Sequence, residues 1–68
     1  MTIESEARYV LDCGDRLEQA DIGYELCLYE EVAARFPDLT ARIVAATIDE
    51  RADLSIELAR ELGIEVEQ

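Results

Sequence analysis

Four carboxylates, Glu50, Asp53, Glu57 and Glu61, recur at spacings of three, four and four residues. Such a row can exchange protons, chelate a cation or hold a basic partner. Acid–base catalysis needs two carboxyls whose surroundings push their pKa values apart inside a pocket, and three or four short helices rarely enclose one. A carboxylate-only metal site is conceivable at Asp12 and Asp15, or at Asp49, Glu50 and Asp53. Neither set follows the spacing of a calcium loop or supplies the glycine at its turn. Docking on a basic surface asks only that the row be exposed. Helical spacing stacks the four side chains along one side at intervals of roughly 5–6 Å.

Missing residue types narrow the chemistry further. The chain has no His, and all six of its basic residues are Arg. Without His, neither the Ser–His nor the Cys–His arrangement of nucleophilic catalysis can form. Without Lys there is no Schiff base, and no glycine-rich phosphate cradle precedes a helix. The expectation is a non-enzyme without cofactor or metal. Cys13 and Cys27 form no CxxC unit and are too few for a secreted disulfide framework, so both read as small buried hydrophobes. Among the aromatics, Tyr29 lies off the apolar line Tyr24–Leu28–Val32–Phe36 and beside Glu30 and Glu31. A tyrosine rimmed by acids is a type of anchor that interfaces enrich, which adds Tyr29 and Glu30 to the candidate partner-binding residues.

A helix from about Asp49 to Leu62 must carry the row. Thr47 and Glu50 stand in the T-x-x-E relation of a capping box, and Asp49, Glu50 and Asp53 crowd the first turns, where the helix dipole favours anions. Leu54, Leu58 and Leu62 supply the opposite, apolar face, with Ala59 beside them. Gly63 followed by Ile64 predicts a Schellman-type stop, after which residues 64–68 fray.

Upstream, a first helix is expected from just after Thr2 to about Ala20, with Ile3, Ala7, Val10, Leu11 and Leu17 on its inner face. Gly14 interrupts it and marks either a close helix approach or a turn at residues 12–15. The pairs Glu4–Arg8 and Asp12–Arg16 support this helix. Asp21-Ile22-Gly23 reads as a connection and residues 24–36 as a second helix, ended by Pro37. Asp38 caps a short segment bearing Leu39, Ile43, Val44 and Ala46. That segment is either continuous with the acidic helix or, as the capping box favours, separate from it. The expected fold is all-α, one domain over residues 1–68 built as a compact bundle of three to four short helices.

Sixty-eight residues that are half apolar can build one small core. Seventeen acidic residues against six arginines leave a net charge of −11. So large a charge disfavours direct binding to nucleic acid or an anionic membrane and favours a protein with a basic surface. The start Met1-Thr-Ile-Glu-Ser-Glu has no signal-peptide character, and no apolar run reaches bilayer length, so a cytoplasmic location is expected.

In size, acidity and lack of catalytic motifs, the chain resembles small phage-encoded anti-defence proteins such as anti-CRISPR and anti-restriction inhibitors. That resemblance implies an inhibitor or regulator that presents DNA-like charge to a nucleic-acid-binding partner. The alternative is a helical accessory subunit, antitoxin-like or scaffold-like, that closes on a partner or a homodimer through an apolar face including Ile56, Ile64 and Val66. Salt separates the two, because only a charge-driven complex weakens steeply as salt is added.

Overall fold

Thr2 opens the first helix as the sequence predicts, with Ser5 completing the cap. The Ser5 amide donates to Thr2 Oγ1, and the Thr2 amide donates back to Ser5 Oγ, both at 3.1 Å. The computed structural model describes the backbone of residues 2–67 and the side chains of residues 2–63. Among these residues lie five helices: α1 (Ile3–Asp12), α2 (Arg16–Cys27), α3 (Glu30–Arg35), α4 (Pro37–Ala45) and α5 (Ile48–Glu67). No strand occurs among them. The chain is the all-α bundle of short helices its sequence predicts, cut into five pieces rather than three or four.

The first cut falls at residues 13–15, so the single helix expected to reach Ala20 is two. Cys13 turns extended at φ −77° and ψ 135°. Asp15 then accepts the amides of Leu17 at 2.9 Å and Glu18 at 3.3 Å, a side-chain N-cap that starts α2. The orphan carbonyls ending α1 are met by buried Gln19, whose Nε2 donates to Val10 O at 3.0 Å and Cys13 O at 2.6 Å. The turn also moves Leu17 off the inner face, where it was expected, and leaves it exposed.

Residues 21–23, read from sequence as a connection, lie inside α2. The second cut comes later, at Leu28 and Tyr29, so residues 24–36 are not one helix. Their period-four apolar line is therefore not one face. Val32 is buried, but Tyr24 and Leu28 face solvent while Leu26 and Cys27 turn inward. Pro37 begins α4 as well as ending α3, because the first helical position needs no amide donor.

α4 stops at Ala45 and α5 starts at Ile48, so residues 39–62 form two helices. Gly63 does not end α5. Its φ is not positive, no Schellman stop forms, and the helix runs on to Glu67. The side chains of Ile64 and Val66, invoked for an apolar docking face, lie outside the described residues.

α5 packs across α2, α1 and α4. It contributes Leu58, Ala59 and Leu62 to a core completed by Ala7, Val10, Leu26, Cys27, Val32 and Ile43. Where α5 crosses α2, Gly23 lies against buried Ser55. A Cβ on Gly23 would stand 1.6 Å from Ser55 Oγ and 2.3 Å from Ser55 Cβ. Arg51, in the second turn of α5, ties three helices together. Its Nε donates to Ile43 O at 2.9 Å, and its terminal amine to Val44 O and Ala46 O at 3.1 Å each, capping α4. Its guanidinium carbon lies 5.1 Å from the centre of the Tyr24 ring of α2, a cation–π contact.

Candidate partner-binding surface

Glu50, Asp53, Glu57 and Glu61 are all exposed on α5. The row is uneven, however. Arg16, at the start of α2, reaches across to its upper end and donates to Asp53 Oδ1 at 2.9 Å and to the Asp49 backbone carbonyl at 2.8 Å. Its Nε stands 3.8 Å from Asp49 Oδ1. The bond to Asp53 strengthens the hold of Arg16 on its proton, and Asp49 adds to it. Arg16 therefore serves α5, where the sequence paired it with Asp12. Glu50, Glu57 and Glu61 make no ion pair among the described residues, which leaves them as the unneutralised part of the row.

Tyr29 and Glu30 stand apart from these four. Among the described residues α3 packs on α2 and α4 but not on α5, so the six candidate residues form two groups on different elements. Glu30 is exposed in the first turn of α3. Tyr29 is half-buried and packed against the core, where the sequence suggested an exposed ring. Its hydroxyl bonds to Glu6, which with burial and the charges of Glu6 and Glu25 raises the tyrosine pKa.

That contact opens onto a pocket the sequence reading did not single out. Glu6, Glu25, Leu28 and Tyr29 line a shallow cavity of about 330 Å³ between α1 and the α2–α3 corner. Glu6 is only 5% exposed, and its Oε2 has no hydrogen-bond partner among the described residues. The signal was available in the spacing. Glu6 stands three residues after Ile3 and four before Val10, on the face α1 buries, yet as an acid in the first turn it reads as a solvated helix start.

A second cluster joins α1 to α2. The Tyr9 hydroxyl donates to Glu18 Oε2, and Cys13 Sγ lies 3.5 Å from the same oxygen. The bond to Glu18, reinforced by its charge, pushes the Tyr9 pKa up to about 12. Cys13 is thus a half-exposed junction residue rather than the core residue expected, whereas Cys27 is buried. Burial raises the Cys27 pKa, against smaller opposing effects of Thr40 and Arg51.

Among the described residues no three His, Cys, Asp or Glu side chains are grouped to hold a metal ion. No described helix is long and apolar enough to cross a membrane. No protein-family model, curated protein or solved structure matches the chain.

Proposed function

We propose that this chain is an acidic protein-binding inhibitor or regulator that docks on the basic, nucleic-acid-binding surface of a partner protein, as small phage anti-CRISPR and anti-restriction proteins do. The observation that carries the reading is the exposed run Glu50, Glu57 and Glu61 along α5, without an ion pair among the described residues while Arg16 holds Asp49 and Asp53. A net charge of −11 surrounds this run with a field of the same sign, which speeds encounter with a cationic surface and fixes register on it. The reading assigns no catalysis, cofactor or direct contact with nucleic acid.

The test is partner affinity at two salt concentrations for the parent and for a Glu57→Arg/Glu61→Arg variant. Binding should weaken more than about tenfold in the variant at low salt, with helicity unchanged. Unchanged affinity and a shallow salt slope in both proteins would reject charge-led docking.

One observation favours a second reading, the helical accessory subunit. Ala7, Leu11, Ala59 and Leu62, together with the charged Glu4, Arg8 and Asp12, line a groove of about 360 Å³ between α1 and α5, and Leu11 is exposed in it. Of a complex closed there, only the part resting on these apolar side chains would depend little on salt.

A further inference from the structure

Resting on the docking reading above, we propose that the pocket formed by Glu6, Glu25, Leu28 and Tyr29 receives an arginine side chain of the partner protein. Several independent features make this pocket more than part of a general acidic surface. Glu6 is more than nine-tenths buried, and its Oε2 lacks a donor among the described residues. A buried carboxylate oxygen without a donor is unfavourable, so a donor brought by a ligand is worth more there than at an exposed glutamate. The Tyr29 hydroxyl already bonds to Glu6 and holds that carboxylate in place. Glu25 lines the same cavity from α2 and is exposed, which provides a second negative group at the mouth.

The chemistry selects a guanidinium. Its planar fork of five donors can serve two carboxylates at once, and it sheds water more readily than an ammonium does. Leu28 is 69% exposed at this corner, an apolar platform for the aliphatic stem of an arginine whose charged head goes inward. An anion would be repelled by both carboxylates.

The experiment is an amide-resolved NMR titration of the full chain. The probe is N-acetyl-arginine methylamide, and the neutral isostere N-acetyl-citrulline methylamide is the control. Shifts at Glu6, Glu25, Leu28 and Tyr29 should saturate with the arginine probe and not with the citrulline one. Glu6→Gln should weaken the response by about fivefold or more. Should Glu6→Gln fail to fold, Glu25→Gln decides the point, because Glu25 is exposed and its loss leaves the core untouched. Saturating shifts confined to Glu50, Glu57 and Glu61 would overturn the pocket and leave the α5 docking reading standing. An equal response to citrulline would overturn the cation site, as would an unaltered response in both variants. No saturating shift anywhere would count against the pocket and the acidic row alike.

Discussion

Gly23 and Ser55 face each other where α2 crosses α5, with no room for a methyl group between them. A Cβ at Gly23 would lie 1.6 Å from Ser55 Oγ, 2.3 Å from its Cβ and 3.2 Å from its Cα. Rotating the hydroxyl away relieves only the first of these, so the helices themselves must part. Overpacking of this kind costs about 1–3 kcal/mol, more than the ~1 kcal/mol that alanine gains over glycine inside a helix. Gly23→Ala should therefore lower the urea midpoint. Combined with Ser55→Gly, which removes both clashing atoms and keeps the number of helical glycines the same, it should return to the parent or slightly above it. A Gly23→Ala protein as stable as the parent would show that the crossing is loose.

Gly63 makes the opposite case. Among the described residues nothing outside its own stretch of helix lies within 4 Å of where its Cβ would be, and the helix passes straight through it. Gly63→Ala should raise stability by up to about 1 kcal/mol. A loss of stability in the same urea titration would restore the helix-stop role that the sequence suggests.

Arg51 should be the most costly arginine to remove. It donates to three carbonyls at the end of α4, and bonds from a charged donor contribute about 1.5–3 kcal/mol each where water is excluded. The Arg51 site is half-buried, so Arg51→Ala should cost about 2 kcal/mol in all. Arg51→Lys should recover only part of it, since one ammonium cannot span three carbonyls. Arg51→Ala at parental stability would mean that these carbonyls are satisfied as well by water.

The Tyr9–Glu18 bond makes part of the stability sensitive to alkali. The Tyr9 pKa is near 12 when folded, against an ordinary 10.0. Below pH 10 folded and unfolded chains both keep the proton, and the contribution of the Tyr9–Glu18 bond is whole. Between pH 10 and 12 only the folded chain keeps it, so stability falls as pH rises and the contribution is gone above 12. Ultraviolet titration of the phenols should show one tyrosine near pH 12, moved back toward 10 by Glu18→Gln. No phenol titrating near 12 in the parent, or one there that Glu18→Gln leaves unmoved, would mean that the bond does not persist in solution.

The two cysteines should separate in a thiol-labelling time course. Cys13 lies half-exposed at the α1–α2 turn, and Cys27 is buried with a raised pKa, so only Cys13 should react promptly in the folded protein. Equal rates under native conditions would mean that α2 opens as often as the turn does.

Features written in short-range chemistry could be read before the structure. Thr2 starts α1, Pro37 separates α3 from α4, and Leu58, Ala59 and Leu62 face the core as their spacing implies. What misled was a residue whose local preference was overruled from a distance. Gly23 looks like a linker, yet its missing side chain serves the approach of Ser55, thirty-two positions away. Gly63 looks like a stop, yet α5 continues. Leu28 fits a period of four with Tyr24, yet α2 buries the side that carries Gly23, Leu26 and Cys27, which leaves both outside. The exposure of the α5 acids followed from their spacing opposite the leucines. Glu6 carries the same kind of spacing signal, but as an acid in the first turn it reads as solvated, and only tertiary packing makes it a buried one. Arg51 and Arg16 act on carbonyls and acids of other helices, which no i,i+4 rule anticipates.

The place of α5 in the packing also bears on how the molecule is made. Ala52, Leu58, Ala59 and Leu62 are buried against helices that precede α5 in the chain, and α5 leaves the ribosome after the other four. Until Leu62 has emerged, Val10, Leu26 and Ile43 have no lid. The nascent chain must carry that apolar surface uncovered, open to chaperones and proteases. Translation that stalls anywhere before the second half of α5 would yield a fragment destined for degradation rather than a weaker version of the protein.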